Sequence, residues 1–304
     1  MPPRSLLDVD DLNPDELVSV LDRAVAFRDQ LPPRDLLAGV PVLNLFFEAS
    51  TRTATSFTLA EQRVGADIIT FAPGTSSLGK GETIADTALT LRGIGVRVIV
   101  VRHHESGFAR RMADAFDGHV VNAGDGTHAH PTQALLDLMT LRQEFGRFDG
   151  LRVAIVGDIL HSRVARSNIV GMRALGIDVT LVGPATLLPR YFAGPGVRVD
   201  RDFDAVLPHV DAVMMLRIQR ERIEGGLLPS LDDYTQRFQL NRARLRSLPT
   251  GAIILHPGPY NRGVELTDDV LDDPRSRYVA QVHNGVFVRM AVLDFLVNGA
   301  PVLA

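Results

Sequence analysis

The segment Phe47–Thr53, with the sequence FEASTRT, follows an apolar run, Val40–Phe47, that is typical of a buried strand. A helical pattern follows it over Ser56–Val64. Ser and Thr at a strand-to-helix junction cap the helix, and the amide groups and dipole of a helix N-terminus attract anions. A single hydroxyl is more often only a cap. Three hydroxyls around an arginine favour a phosphate or carboxylate ligand, and these residues are Ser50, Thr51, Arg52 and Thr53.

Strand-like and helix-like segments alternate along both halves of the chain. This alternation predicts an α/β fold of two domains, each with a mainly parallel sheet flanked by helices. Gly146–Gly150 is typical of a hinge between them. Ligands of parallel sheets bind beyond the carboxyl ends of the strands, where Ser50–Thr53, Arg102 and His130 are predicted to lie. The same edge of a sheet therefore gathers the polar segments of the first half.

Composition restricts the class of protein. The 304 residues are 45% apolar and carry a formal net charge of −4, which argues against general binding of nucleic acid or anionic membranes. No apolar run is long enough to span a bilayer. The chain has no cysteine, so disulfides and Cys-ligated zinc are excluded. These features predict a cytoplasmic enzyme.

Several catalytic motifs are missing. The strand pattern ending at Gly157-Asp158 is not followed by G-x-G-x-x-G, which argues against a nicotinamide cofactor. No His, Asp or Glu set has convincing metal spacing, and no G-x-S-x-G motif occurs. These absences argue against a nicotinamide cofactor and against a metal site.

Cationic side chains are predicted at several loops and strand ends. Lys80 is the single lysine among 32 basic residues and lies in a Gly-flanked loop, where a compact charge differs in function from arginine. Each arginine alone is more often a surface group or an ion-pair partner. Together the cations predict a positive pocket for a small, multiply anionic ligand, and they are Arg52, Lys80, Arg102, Arg163 and Arg217.

Four motifs carry a family resemblance. Phe47–Thr53, the HPTQ sequence at 130–133, Gly157-Asp158 with His161–Arg163, and the HPGP sequence at 256–259 together resemble the aspartate and ornithine carbamoyltransferases. The match covers essentially the whole chain in the order of the family. It implies a carbamoyl-phosphate domain at 1–145, completed by a C-terminal helix at 284–304, and an acceptor domain at 146–283.

The choice of acceptor depends on the second half. Ornithine enzymes typically carry a His-Cys-Leu-Pro motif, whereas this chain has HPGP at 256–259 and an arginine-rich segment, Arg217–Arg222, that resembles the aspartate enzymes. A second carboxylate on the acceptor suits an arginine, which would repel the ammonium of ornithine. The resemblance implies aspartate. Transfer to another amine such as ornithine, and non-catalytic binding of a phosphate ligand, remain alternatives.

The resemblance also implies roles for individual residues. Those that would bind carbamoyl phosphate are Ser50, Thr51, Arg52, Thr53, Ser77, Lys80, Arg102, His130, Gln133, Pro257 and Gly258. Those that would bind L-aspartate are Lys80, Arg163, Arg217 and Gln219. The catalytic set would be Arg52, Thr53, Lys80, Arg102 and His130.

The family further implies an assembly and a mechanism. Family enzymes are homotrimers with shared active sites, and Ser77 and Lys80 resemble residues that a neighbouring subunit inserts. Carbamoyl phosphate would bind first, and the aspartate amine would attack its carbamoyl carbon without a metal or cofactor. Whether a regulatory chain or a dihydroorotase binds the trimer is open.

Overall fold

The computed structural model describes residues 3–70, 83–218 and 230–299. Three predicted site residues, Ser77, Lys80 and Gln219, lie outside these ranges. The chain divides into two compact units, Met1–Met139 with Val282–Ala304, and Thr140–Gln281. The sequence predicted domain limits at 145/146 and 283/284, and these stay predictions.

The first unit contains a four-stranded parallel sheet in the order β2-β1-β3-β4. Its strands are β1 (Pro41–Phe46), β2 (Asp67–Thr70), β3 (Val98–His103) and β4 (His119–Asp125). The helices that alternate with them and follow them are α1 (Pro14–Asp29), α2 (Thr51–Val64), α3 (Ile84–Ile94), α4 (Phe108–Ala115) and α5 (Pro131–Phe145). All six residues of β3 are buried, as expected of a strand in a parallel sheet that helices cover.

The first helix shows how local sequence places these elements. Asn13 accepts the amide hydrogen bond of Glu16, the Glu16 side chain returns one to Asn13, and Pro14 occupies the first helical position. The apolar residues predicted to share one face of this helix are all buried, and they are Leu17, Val20, Leu21, Ala24 and Phe27. Helical spacing in the sequence therefore identified this face correctly.

The second unit contains a five-stranded parallel sheet in the order β7-β6-β5-β8-β9. Its strands are β5 (Arg152–Val156), β6 (Asp178–Val182), β7 (Val197–Asp200), β8 (Ala212–Met215) and β9 (Ile253–Leu255). The helices are α6 (Arg163–Ala174), α7 (Phe203–Val206), α8 (Leu231–Phe238), α9 (Arg242–Ser247) and α10 (Asp268–Leu271). An apolar core lies between β5, β8 and the helices, with Phe203, Tyr234 and Phe238 among its buried members.

The last helix, α11 (Tyr278–Asn298), begins earlier than its sequence pattern predicts. The predicted start was Asn284, but the helix contains another six residues, in which Val279 and Val282 are exposed. Its residues from Val282 onward group with the first unit. Both expected features of the fold are therefore confirmed: two α/β domains with parallel sheets, and a C-terminal helix that returns to the first domain.

Among the described residues, none of the helices combines the length and the apolar character that crossing a membrane requires.

Candidate active site

The strand order of the first unit brings two predicted segments together. β1 and β3 are neighbours, with Phe46 opposite Arg102 in the parallel register. The amide of Phe47 donates to the carbonyl of Arg102 at 2.9 Å, which continues this pairing beyond the strand. The start of the FEASTRT segment and Arg102 therefore lie side by side at the carboxyl edge of the sheet.

The helix after β1 begins sooner than predicted. α2 starts at Thr51 rather than Ser56, so Arg52 and Thr53 belong to its first turn. Ser50 occupies the N-cap position, but its side chain makes no hydrogen bond to the first turn. The expected capping bond is therefore absent, and the amides of that turn remain available to an anion. Thr53 is buried, Arg52 is half-buried and Thr51 is exposed.

Arg102 is held from two sides. Its Nη2 donates to the Glu48 carboxylate at 2.5 Å, and its Nη1 donates to the carbonyl of Ala123 at 3.2 Å. The arginine is 8% exposed. A guanidinium fixed between the loop after β1 and strand β4 has little freedom left to lose when it binds an anion.

His130 and Gln133 lie at the beginning of α5. His130 is buried immediately before the first helical residue, and its carbonyl accepts the amide hydrogen bond of Gln133 at 3.0 Å. The Gln133 Nε2 donates to Oδ1 of the buried Asp137 at 2.9 Å. This bond orients the amide of Gln133, so its Oε1 is the atom that can accept a hydrogen bond from a ligand NH₂ group.

Arg289 on α11 is a buried cation that the sequence analysis missed. Its Nη1 donates to Ser56 Oγ at 3.0 Å, and its guanidinium lies 4.9 Å from the ring centre of Phe57. Burial, together with the positive charge of Arg102, lowers the pKa of Arg289 to about 9, and Asp137 opposes this change. The group stays protonated at neutral pH and adds positive charge near α2. A single arginine inside the apolar run of α11 was the signal available in the sequence.

The turn after β5 supports the start of α6 in the second unit. Gly157 has a φ of +130°, and a Cβ there would lie 3.1 Å from the carbonyl oxygen of Leu216, so the turn requires glycine. Asp158 is fully buried, and its Oδ1 accepts the amide hydrogen bond of His161 at 3.0 Å. Ser162 Oγ caps α6 by accepting from the amide of Ala165 at 3.1 Å. The predicted acceptor residue Arg163 is the first residue of this helix.

Two more predicted residues follow neighbouring strands. β8 pairs with β9, with Met214 opposite Leu255, and Arg217 and Pro257 come shortly after these strand ends. Gly258 has a φ of +62°, and its amide donates to Nδ1 of His256 at 2.8 Å. β5 also pairs with β8, so Arg163, Arg217 and Pro257 all follow strands that end at one edge of the second sheet.

Each unit therefore gathers its own set of predicted residues. The set of the first unit contains Ser50, Thr51, Arg52, Thr53, Arg102, His130 and Gln133. The set of the second unit contains Arg163, Arg217, Pro257 and Gly258. The first set combines hydroxyls, helix amides and arginines, which suit a phosphate, and the second offers two arginines that suit carboxylates.

One group of neighbouring side chains among the described residues has the spacing of a metal site: His103, His104 and Glu105, with ligand atoms within 4.8 Å of one another. Two of its three side chains already have other partners. The Nδ1 of His103 accepts the amide hydrogen bond of Glu105 at 3.0 Å, and the Glu105 carboxylate binds Arg111 at 2.5 Å. We therefore assign this group to the packing of the loop after β3.

Comparison with known proteins covers nearly the whole chain. Residues 4–143 match the family described as aspartate/ornithine carbamoyltransferase, carbamoyl-P binding domain. Residues 149–296 match the Asp/Orn binding domain of the same family. An aspartate carbamoyltransferase catalytic subunit of Salinispora tropica is 52% identical over 97% of this chain and 98% of its own length. One of Acidothermus cellulolyticus is also 52% identical, over 99% of this chain and 95% of its own length.

Solved structures of both branches of the family resemble the fold. Aspartate transcarbamoylase from Trypanosoma cruzi, in complex with carbamoyl phosphate and aspartate, has a TM-score of 0.88 at 31% identity and covers 96% of both chains. Ornithine carbamoyltransferase from Thermus thermophilus also has a TM-score of 0.88, at 28% identity over 97% of this chain and 99% of its own. The fold alone therefore does not discriminate between the two acceptors.

Proposed function

The chain belongs to the aspartate/ornithine carbamoyltransferase family, and we propose that it transfers the carbamoyl group of carbamoyl phosphate to the amine of L-aspartate. The products are N-carbamoyl-L-aspartate and phosphate. This reaction is an early step of pyrimidine biosynthesis. The observation that carries this proposal is the 52% identity, over 97% of the chain, with a relative named aspartate carbamoyltransferase catalytic subunit. Ornithine as acceptor is not favoured.

The donor half of the reaction is assigned to the first unit. The open N-terminus of α2 supports phosphate binding by Ser50–Thr53, because unpaired helix amides and hydroxyls suit phosphate oxygens. Arg102 is anchored by Glu48 and Ala123 and reaches the phosphate and the carbamoyl oxygen. The fixed amide of Gln133 accepts a hydrogen bond from the carbamoyl NH₂ group. The family resemblance implies the same role for the carbonyl of Pro257, which belongs to the second unit.

The acceptor half is assigned to the second unit. Arg163 binds the α-carboxylate of aspartate, and Arg217, with Gln219, binds the side-chain carboxylate. The support is chemical: a dicarboxylate needs two cationic partners, and both arginines follow strands that end at the same sheet edge. An acceptor whose side chain ends in an ammonium group instead of a carboxylate, such as ornithine, would be repelled by Arg217.

In this proposal the chemistry is carried by protein groups and the two substrates. The neutral aspartate amine attacks the carbamoyl carbon, and the new C–N bond forms as the carbonyl oxygen gains negative charge. Thr53, Arg102 and His130 stabilise this oxyanion. The C–O bond to phosphate then breaks, and the departing phosphate takes the amine proton. Most of the rate enhancement comes from positioning and charge stabilisation.

We further propose a homotrimer in which Ser77 and Lys80 complete the site of a neighbouring chain. The exposed apolar residues Leu89 and Ile94 on α3 support an interface on this side of the first unit, because α3 follows the segment that contains Lys80. A cytoplasmic location is the corresponding prediction for the cell.

A direct assay tests the proposed reaction. Purified protein is incubated with carbamoyl phosphate and either L-aspartate or L-ornithine, and the carbamoylated product and phosphate are quantified. We expect equal amounts of carbamoyl-aspartate and phosphate, with no product from ornithine. Product from ornithine alone would contradict the acceptor assignment. Carbamoyl-phosphate binding without turnover on either amine would favour a binding protein instead.

Subunit mixing tests the shared site. Arg52→Ala and Lys80→Ala chains, each strongly impaired alone, should recover part of the activity after denaturation and renaturation together, because some sites then combine two intact sets of residues. Native mass spectrometry establishes that the trimers are hybrid. Verified hybrids without activity would refute a site shared between chains.

A further inference from the structure

The buried carboxyl of Glu265 links two segments that the proposed function assigns to the substrates. Glu265 is 0% exposed and precedes α10 in the second unit. The backbone amide of Asn261 donates to its Oε1, and the side-chain amide of Asn261 lies 3.4 Å from its Oε2. Burial of a carboxyl costs free energy unless its oxygens are hydrogen-bonded, so these contacts fix the loop from Asn261 to Glu265.

The same asparagine reaches the strand end that carries Arg217. Asn261 Nδ2 donates to the carbonyl of Ile218 at 3.1 Å, and Ile218 is fully buried. Since Ile218 directly follows Arg217, this bond fixes the backbone from which the Arg217 side chain extends. Asn261 therefore bridges the buried carboxyl to the proposed binding group for the aspartate side chain.

A second contact of Glu265 reaches the HPGP loop. His256 Nε2 lies 3.6 Å from Glu265 Oε1, and both side chains are almost completely buried. His256 Nδ1 accepts the amide hydrogen bond of Gly258 at 2.8 Å, which places the imidazole proton on Nε2, facing Glu265. The histidine thus connects Glu265 to the turn whose Pro257 carbonyl is assigned to the carbamoyl group.

Tyr234 on α8 is influenced by the buried carboxyl of Glu265, which together with Asn261 and His256 forms a polar cluster. Burial raises the pKa of Tyr234, and the carboxyls of Glu265 and Asp158 raise it further. A Cβ on Gly157 would lie 3.2 Å from the Tyr234 hydroxyl, so the cluster extends to the turn before Arg163. Contacts therefore join Glu265 to two segments of the proposed acceptor site, the one that carries Arg217 and the HPGP loop.

We propose that Glu265 is a positioning residue for the acceptor: through Asn261 and His256 it holds Arg217 in a fixed relation to the Pro257 carbonyl. This inference rests on the proposed function, because it assumes that both groups bind substrate. Glu265 itself does not touch substrate. Its effect should appear as a change in aspartate affinity rather than as a general loss of folding.

The chain offers a matched control for Asn261. The side chain of Gln239 also donates from an amide nitrogen to a backbone carbonyl, that of Gly263 at 2.7 Å. It anchors the same loop, but its bond goes to the loop itself and not to Ile218. Gln239→Ala therefore removes comparable support without removing the bridge.

Steady-state kinetics of the full-length variants provide the test. We expect Asn261→Ala to raise KM for aspartate about fivefold, the usual effect of one lost hydrogen bond, with KM for carbamoyl phosphate unchanged. Glu265→Gln, which keeps the size of the side chain, should raise the same KM and add little in the Asn261→Ala background. Gln239→Ala should leave it unchanged. Equal KM values in Asn261→Ala and wild type, or equal increases in Asn261→Ala and Gln239→Ala, would overturn the proposal.

Hydrogen exchange separates this inference from the proposed function. Exchange at the amides of residues 216–218, measured by mass spectrometry without substrate, should be faster in Asn261→Ala than in wild type and Gln239→Ala. Faster exchange in a chain whose wild type makes no carbamoyl-aspartate would support the bridge and refute the function. Unchanged exchange in an active enzyme would overturn the bridge alone.

Discussion

Two strand–turn–helix units of this molecule have a serine at the same position and use it differently. Ser50 follows β1 and precedes α2, and Ser162 follows β5 and precedes α6. Ser162 accepts a hydrogen bond from the first turn of its helix, whereas Ser50 accepts none. Asn13, Thr83 and Ser230 cap their helices in the same way as Ser162.

This difference corresponds to the ligands proposed for the two helix ends. A phosphate spreads its charge over several oxygens and can take the place of the missing cap at α2. A carboxylate has two oxygens, which a single guanidinium such as that of Arg163 can bind. In the proposed function, the satisfied end of α6 therefore provides a rigid base for an arginine, whereas the open end of α2 would itself be part of the binding surface.

Arg52 is the variant with the largest expected effect on this comparison. If the α2 end binds the departing phosphate, Arg52→Ala should lower kcat by about 10²–10³, the usual loss when one donor to developing charge is removed. Stopped-time product assays at saturating substrates measure the change. Arg52→Lys keeps the charge but loses the bidentate geometry, and it should recover only part of the rate.

One kinetic result for Arg52→Ala would contradict a catalytic role of the α2 end. A folded Arg52→Ala variant with wild-type kcat and only a raised KM for carbamoyl phosphate would mean that Arg52 binds donor and transition state equally. In that case the two helix ends would bind different ligands, but both would contribute only to substrate binding and neither to stabilisation of the transition state.

Glu61 makes the α2 unit sensitive to pH. Its carboxyl is fully buried in the third turn of α2, with Asn44 Nδ2 donating to Oε2 at 2.6 Å. Burial raises the pKa of Glu61 to about 7, and the bond from Asn44 opposes that change. The folded state therefore holds a proton that the unfolded state releases near pH 4.5, so the free energy of unfolding should fall as the pH rises from about 4.5 to 7.

Glu61→Gln tests whether Glu61 causes this fall in the free energy of unfolding with rising pH. The neutral amide should remove the pH dependence and stabilise the protein at pH 8 by up to roughly 3 kcal/mol, as the raised pKa implies. Urea unfolding at pH 5 and pH 8 measures it. Glu16→Gln is the control, because the hydrogen bond from Arg4 lowers the pKa of Glu16 and gives stability that is lost only in acid. An unchanged difference between pH 5 and pH 8 in Glu61→Gln would contradict the role of Glu61.

Arg163 tests the other helix end. Arg163→Ala should raise KM for aspartate roughly 10- to 100-fold, the loss expected for hydrogen bonds to a charged group, and should leave KM for carbamoyl phosphate unchanged. Arg173→Ala on the exposed last turn of the same helix is the control. If both substrates lost affinity equally in Arg163→Ala, the assignment of α6 to the acceptor alone would be wrong.

The sequence predicted these two ends unequally well. The parallel α/β class and the placement of Arg102, His130 and Arg163 near strand ends or helix starts followed from apolar periodicity and local motifs, whereas the order of the strands within each sheet was not predicted. The start of α2 was placed five residues late, since Ala54 is the single apolar residue in Thr51–Thr55 and one position gives no periodicity by which to detect a helix. The missing Ser50 cap was not predictable, because it depends on side-chain geometry.

Other features of the structure were also missed because their exposure or surroundings depend on the fold. β7 was missed because its four residues alternate in burial at the edge of the sheet and contain two charged side chains. The first turns of α11 were missed because Val279 and Val282 are exposed apolar residues there. Arg289 was missed because a buried cation is recognisable only by its surroundings, here Ser56 and Phe57. The roles of Ser77, Lys80 and Gln219 stay predictions.

Replacing Ser50 or Ser162 by alanine should have the smallest effects, and it compares the two helix ends directly. Ser162→Ala removes a bond to the amide of Ala165 and should lower the free energy of unfolding by about 1 kcal/mol. Ser50→Ala removes no capping bond, so its stability should stay within about 0.5 kcal/mol of wild type. Denaturant unfolding without ligand measures both.

Ligand binding should reverse this order. Ser50→Ala should raise KM for carbamoyl phosphate about fivefold, because the variant loses the hydrogen bond proposed between the Ser50 hydroxyl and the phosphate. Ser162→Ala should leave this KM unchanged. Equal losses of stability in the two variants would show that Ser50 caps α2 in solution. The open end of α2 would then not be a prepared phosphate site, and binding would have to displace the serine from the first turn.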